Sequence, residues 1–229
     1  MGNKGTLVLF RHGETDHNAL NLMTGWLDVP LNAKGEEQAR EAGKLISRFR
    51  FDKVYCSTLS RTFNTAVLAL EASGTQVHLR TAFGWAIEKR EELKGTNMGE
   101  FTGRNFKTDP EIVNFGRRYD RPLPGGESDK DITERAKKFF DAEVLPRLER
   151  GEMVLLSIHS GTMRAFDVAL GLVPPPDPTD DQWTDKQRID NALPVVVEYE
   201  DGKMVGSYQM KQQAAKPAQK KAAAQAARK

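Results

Sequence analysis

The 229 residues contain one cysteine, Cys56. No disulfide can therefore form within the chain, and a reducing, cytoplasmic setting is expected. Long apolar runs are also missing. No stretch approaches the ~20 residues of a membrane helix. The first apolar segment is cut short by Arg11, which leaves no room for a secretory apolar core. Histidine is scarce, four in all, with no spacing that suggests a zinc site, so no metal is expected. No internal repeat is found. Acid is missing from one end: residues 211–229 hold Lys211, Lys216, Lys220, Lys221, Arg228 and Lys229 without one Asp or Glu. Taking those six cations from the net charge of +2 leaves residues 1–210 at about −4. A mildly acidic body argues against nucleic acid as its partner.

What is present fits one α/β domain. Apolar residues make up 38%, enough for a core at this length. Thr6–Phe10 reads as a strand. A helix opens at Asn32-Ala33-Lys34 and runs to about Phe49, with Ala39, Ala42, Ile46 and Phe49 on one face. Val54–Ser57 reads as a strand. Ser60 to about Ala72 reads as a helix whose buried side carries Phe63, Val67 and Leu70, ended by Gly74. Val77–Leu79 reads as a further strand. Asp131 to about Leu148 is strongly helical, capped at Ser128 or Asp129. Met153–Ile158 reads as a strand, Gly161–Leu170 as a helix and 173–187 as a loop. Pro194–Tyr199 and Lys203–Tyr208 read as a hairpin around Asp201-Gly202. The alternation predicts a three-layer α/β fold, a mostly parallel sheet with helices on both faces. The expected division is a domain over 1–210 and a basic, disordered tail over 211–229. Within the domain, 82–130 mixes charge, glycine and proline without a period and reads as a lid-like insert. Met1-Gly2-Asn3-Lys4-Gly5-Thr6 fits a myristoylation pattern. It is short and runs into the first strand, so no membrane partner is expected.

The chemistry concentrates where two apolar strands end. Leu7-Val8-Leu9-Phe10 runs into Arg11-His12-Gly13-Glu14-Thr15, and Met153–Ile158 runs into His159-Ser160-Gly161. A strand end is a rigid mount for an exposed turn. An imidazole is a nucleophile near neutral pH, and a guanidinium fork suits a phosphate. In-line phosphoryl transfer needs a nucleophile and cations about the transferring oxygens. His12 is the candidate nucleophile, with its second ring nitrogen donating to a backbone carbonyl. Arg11 and Arg61 are candidate clamps, Arg61 near free N–H groups at a helix start. His159, protonated, would stabilise charge on the group in transfer. Taken singly, each has a bland reading: a polar histidine, or a helix-surface arginine. Their joint placement at strand ends favours one phosphoryl-transfer site.

The ordered segments are Leu9–Thr15, Gly25-Trp26-Leu27-Asp28-Val29-Pro30-Leu31, Tyr55-Cys56-Ser57-Thr58-Leu59-Ser60-Arg61, Arg117-Arg118-Tyr119-Asp120, Pro124-Gly125-Gly126-Glu127-Ser128 and His159-Ser160-Gly161-Thr162-Met163-Arg164. Together they resemble the histidine phosphatase superfamily and, within it, the phosphoglycerate mutases, from Thr6 to about Tyr199. The resemblance implies a phosphohistidine on His12 and phosphate-pocket roles for Arg11, Arg61 and His159. It places Asn18, Thr24 and Gly25 beside the phosphate, Arg117 and Arg118 on a substrate carrying carboxylate and phosphate, and Ser160 in the pocket lining. It implies 2,3-bisphosphoglycerate as phosphoryl donor, a small phosphorylated substrate, and a flexible C-terminal tail near the active site. A homodimer stays open. Arg90, Arg104 and Lys107 are weaker substrate-binding candidates.

Two departures bear on the chemistry. The resemblance requires a proton-donating Glu four residues before a Gly. Anchored from the left, at Ala86-Ile87, that acid is Glu88. Anchored from the right, at Met98-Gly99, the position falls on Gly95. Glu91, Glu92 and Glu127 are alternatives. Partial burial is expected to raise the Glu88 pKa and keep it protonated. The other departure is His159-Ser160-Gly161, where mutases usually read His-Gly-Asn. Three readings follow: interconversion of 2- and 3-phosphoglycerate, a phosphomonoesterase of the same superfamily, and a non-catalytic phosphate-binding relative without a working acid.

Overall fold

The computed structural model describes residues 2–116, 118–174, 176–177 and 189–210. Among the described residues eight strands appear in chain order: Lys4–Arg11 (β1), Lys53–Ser57 (β2), Arg80–Thr81 (β3), Gly84–Trp85 (β4), Ile87–Arg90 (β5), Met153–Ile158 (β6), Val195–Glu200 (β7) and Lys203–Gln209 (β8). The α-helices are Asp16–Ala19 (α1), Ala33–Ile46 (α2), Ser60–Ser73 (α3), Pro110–Phe115 (α4), Asp129–Phe139 (α5), Leu145–Glu149 (α6) and Ser160–Ala169 (α7). Six strands form one sheet in the order β5-β2-β6-β1-β7-β8, and β3 and β4 form a separate small hairpin. The β5, β2, β6 and β1 strands run parallel, and the β7–β8 hairpin closes one edge antiparallel.

Side-chain alternation along the strands divides the core into two layers. Leu7 and Leu9 of β1, Tyr55 of β2 and Leu156 of β6 face α5 and α7, where Ile132, Phe139 and Phe166 meet them. Val8, Phe10, Val54 and Leu155 face the opposite way, against Ile46 at the end of α2, Phe49 just beyond it, and Ala69 and Leu70 of α3. Both faces of the central strands are thus buried, which is why β1 and β6 read as unbroken apolar runs. The three-layer α/β fold stands.

Several local expectations need correction. Val77–Leu79 is a 3₁₀ turn rather than a strand; His78 is held there by Phe51 O at 2.7 Å. The stretch 82–90 is not part of an irregular insert: Gly84–Trp85 completes a hairpin and Ile87–Arg90 forms the sheet edge. Only the stretch after Leu93 lacks a period. The buried side of α3 carries Arg61, Thr62, Thr65, Ala66, Ala69, Leu70 and Ser73, while Phe63 and Val67 are half-buried. The helix from Ser128 is interrupted at Phe140–Val144 by a π turn. Pro146, just beyond, has no N–H to close a regular turn there. Ser128 does cap α5, in a reciprocal box with Asp131. Most of the loop expected over 173–187, and the whole tail 211–229, lie outside the described residues.

Candidate active site

Strand register brings the two histidines together. Arg11, the last residue of β1, pairs with Ile158, the last of β6. The next residue on each strand is a histidine, and His12 N–H donates to Ile158 O at 2.9 Å. The rings lie edge to face with centroids 5.1 Å apart, and both residues are buried. This is the carboxyl end of a parallel sheet, where open α/β folds place their ligands. The turn after His12 depends on glycine: a Cβ on Gly13 would fall 2.2 Å from Gly35 O, at the start of α2.

His12 Nδ1 lies 2.7 Å from Gly13 O. A carbonyl only accepts, so Nδ1 carries the proton and Nε2 keeps its lone pair. Burial, then Arg11 and Arg61, hold the His12 pKa well below 6.5. His159 is depressed the same way, by burial first and then by Arg61, His12, Arg11 and Arg135. The free site therefore holds both rings neutral at pH 7, whereas the sequence reading had His159 protonated. Only an arriving anion would offset the arginines and favour the protonated ring. His159 Nε2 lies 2.8 Å from Ser57 Oγ, which lies 2.7 Å from Thr62 Oγ1. Thr62 Oγ1 in turn reaches Leu59 O at 2.9 Å and Ser57 O at 3.2 Å. The carbonyls at that end fix the polarity: Thr62 donates to a carbonyl, Ser57 to Thr62, and Nε2–H of His159 to Ser57.

Arg61 is not a surface residue. It is 2% exposed, and burial pushes its pKa down to about 10, still cationic at neutral pH. Its Nη1 donates to Leu27 O at 2.7 Å and its Nη2 to Gly25 O at 2.9 Å. The free amides expected at the start of α3 are partly taken, since Ser60 N–H donates to Asp28 Oδ1 at 2.8 Å. Arg61 Nε and Thr24 Oγ1 are buried with no hydrogen-bond partner among the described residues. Such atoms are costly unless something accepts from them. An oxyanion is the group that fits.

These residues line a cavity of about 1040 Å³. Arg11, His12, Asn18, Thr24, Gly25, Arg61, His159 and Ser160 all reach it. Asn18 also closes the capping box of α1 with Thr15. The period-free stretch supplies one wall, through Met98, Phe106, Lys107 and α4. Arg164, Asp190 and Asn191 line it too and were missed. Arg164 had a signal, since it falls four residues after Ser160 and so shares its helix face. Arg118 does not line the cavity and stands 3.7 Å from Asp120. Arg117 lies outside the described residues. Arg90 and Arg104 are engaged elsewhere, with Glu88, Glu92 and Glu143 and with Asp109 and Glu111.

The expectation for Glu88 is overturned. It lies on β5, opposite Tyr55 of β2, and does not line the cavity. Its carboxylate is 40% exposed and paired with Lys53 and Arg90. The Lys53 hydrogen bond, rather than burial, dominates and lowers its pKa. Glu91 pairs with Lys94, Glu92 with Arg90, and Glu127 with Arg135 and the Asn97 amide; none lines the cavity. The residue beside His159 is Gly95, the right-anchored alternative.

A sequence profile described as "Histidine phosphatase superfamily (branch 1)" matches residues 7–207. A 2,3-bisphosphoglycerate-dependent phosphoglycerate mutase of Methylobacterium sp. (strain 4-46) is 39% identical over 183 residues, 78% of this chain and 86% of that protein. The protein of the same name from Parvibaculum lavamentivorans is 36% identical over 85% of this chain and 90% of its own. Among solved structures, a phosphoglycerate mutase from Bacillus anthracis str. Sterne matches with a TM-score of 0.69 at 24% identity, covering 89% of this chain and 92% of that one. A mycobacterial glucosyl-3-phosphoglycerate phosphatase complexed with VO3 matches with a TM-score of 0.66 at 25% identity, covering 86% and 96%.

Proposed function

The chain belongs to the histidine phosphatase superfamily, and on that footing we propose that it moves phosphoryl groups through a phosphohistidine formed on His12. Within that superfamily it is phosphoglycerate mutase-like. One observation carries the reading. The proton of His12 is committed to Gly13 O, so Nε2 is free to attack in a cavity shared with Arg11, Arg61 and His159.

Nε2 forms the bond to phosphorus as the P–O bond to the departing oxygen breaks and its electron pair leaves with that oxygen; Nδ1 keeps its proton on Gly13 O, which takes up the positive charge developing on the ring. Arg61 and Arg11 neutralise the equatorial oxygens. Thr24 Oγ1, the Gly25 amide, Asn18 and Ser160 are the neutral donors around them. His159 gains a proton only as negative charge arrives, so its contribution is larger with the phosphoryl group bound than without it. The substrate on this reading is a small phosphorylated acid.

The relatives' names supply the reaction to try first, interconversion of 2- and 3-phosphoglycerate with 2,3-bisphosphoglycerate as donor. A second reading, transfer to water through the same phosphohistidine, is supported by the likeness to the mycobacterial phosphatase. The group that leaves a phosphohistidine is an imidazole, which departs without a proton donor. Mutase and phosphatase assays run side by side, with and without 2,3-bisphosphoglycerate, separate the two. In both, labelled substrate should leave acid-labile phosphate on the wild type and none on His12→Ala. Label persisting on His12→Ala would place the intermediate elsewhere and overturn the reading.

A further inference from the structure

Beside His159 the cavity wall is backbone. A Cβ on Gly95 would stand 3.1 Å from both Cβ and Cγ of His159, so any side chain there would begin in contact with the second histidine. The segment is clamped in place. Gly95 O accepts from Trp26 Nε1 at 2.9 Å and from Arg135 Nη2 at 3.4 Å. The preceding carbonyl, of Lys94, accepts from Thr162 Oγ1 and Arg135 Nη1, each at 2.9 Å.

Among the described residues that line the cavity, two bear carboxyl groups, Glu14 and Asp190. Glu14 is committed to Lys34 Nζ at 2.8 Å and Asn32 Nδ2 at 3.2 Å, which hold it as a carboxylate below the usual range. Asp190 and Lys107 are both exposed. In the free site the two imidazoles are neutral, and the proton each carries is committed to Gly13 O or Ser57 Oγ; a proton gained by His159 with the anion bound answers the charge on the transferring oxygens. The described site is thus rich in cations for a transferring phosphoryl group and poor in protons for a leaving oxygen. Those two needs are chemically separate. An alkoxide is too basic to depart unprotonated, while a carboxylate, a phosphate or a phenolate carries the electron pair away as a stable anion.

We propose that this site accepts phosphoryl donors whose leaving group departs without a proton, namely acyl phosphates, phosphoanhydrides and aryl or enol phosphates, in preference to alkyl esters. The inference rests on the phosphohistidine reading. In the step, the Nε2–P bond forms, the P–O bond breaks, and the electron pair stays on the departing oxygen. On this reading 2,3-bisphosphoglycerate and 3-phosphoglycerate, both alkyl esters, are slow donors.

The test is the dependence of His12 phosphorylation on the leaving group. Single-turnover rates would be measured with 2,4-dinitrophenyl, 4-nitrophenyl and phenyl phosphate, then acetyl phosphate, pyrophosphate and 3-phosphoglycerate. The expected result is a steep fall as the leaving group becomes more basic, with 3-phosphoglycerate slowest. Acetyl phosphate against pyrophosphate tells an acyl from an anhydride donor. Gly95→Glu should flatten the series by speeding the poorest donors, up to the 10²–10⁴-fold that a positioned acid supplies. Gly95→Ala, with the same Cβ and no carboxyl, should leave it steep. A flat series in the wild type alone would overturn the inference, whether or not the variants fold. Failure of every donor to label His12 would instead remove the phosphohistidine reading, and this inference with it.

Discussion

Replacing Arg61 by Ala should damage both activity and stability, for separable reasons. The sequence offers Arg61 as a phosphate clamp, and an exposed helical arginine would cost little stability on loss. The side chain is instead buried and bonds two carbonyls of the loop after His12, Gly25 O and Leu27 O. A hydrogen bond to a charged group contributes about 1.5–3 kcal/mol. Two such bonds, reduced by relief of the buried charge, put the loss at roughly 2–4 kcal/mol. For a domain of this size each kcal/mol moves the melting temperature by about 2–4 °C, so a fall of several degrees is expected by calorimetry. Phosphorylation of His12, measured well below the variant's transition, should slow by about 10²–10³, the usual cost of one charge-stabilising donor. Arg61→Lys keeps the charge but cannot span both carbonyls. It should recover part of the rate and little of the stability. An unchanged melting temperature would refute the buried-clamp geometry. An unchanged rate in a properly folded Arg61→Ala would reduce Arg61 to a structural brace.

The pH dependence of stability has a definite sign. Folding holds His12 and His159 neutral, with pKa values well below the 6.5 of an ordinary histidine. As pH falls through 6.5 the unfolded chain binds protons that the folded chain refuses. Stability therefore declines on acidification, by up to about 1.4 kcal/mol per pH unit for each histidine, and is level above that range. Denaturant unfolding between pH 5 and 8 checks this, using about the window in which histidine titrates. A curve unchanged in His12→Gln/His159→Gln would assign the slope to other groups. Glu88→Gln should leave His12 phosphorylation unaffected and cost under about 1 kcal/mol, since its ion pairs are substantially exposed. A large rate loss in Glu88→Gln would reinstate it as the acid.

The elements legible in the sequence were those with two buried faces or a clear period. Met153–Ile158 was readable as an apolar run, and α2 from the spacing of Ala39, Ala42 and Ile46. The β5 strand was not, because Ile87-Glu88-Lys89-Arg90 is a charged edge of the kind that discourages further pairing and carries little apolar signal. With 82–90 treated as loose chain, Glu88 was free to swing toward the histidines; fixed as a strand, it cannot. The polarity of the Ser57–Thr62 relay was hidden for another reason, since it depends on which carbonyls lie at its end. The two departures noted in the sequence proved to be neighbours. Gly95 packs on His159, and a Cβ on Gly161 would meet Thr96 Oγ1 at 2.7 Å. They form one altered patch of the pocket.

The strand order has a consequence for how this chain is made. The β6 strand is the last parallel strand to leave the ribosome, yet it takes the place between β1 and β2. Until Met153–Ile158 emerges, those two apolar strands have no partner on their inner edges. Ser57 then has no imidazole to accept from, and His12 N–H has no Ile158 O. Sheets closed from the middle by a late strand fold through distant contacts and expose sticky edges while they wait. For the greater part of its synthesis the chain therefore carries His12, the candidate nucleophile, without a site. The two histidines can come together only once that strand lies between β1 and β2.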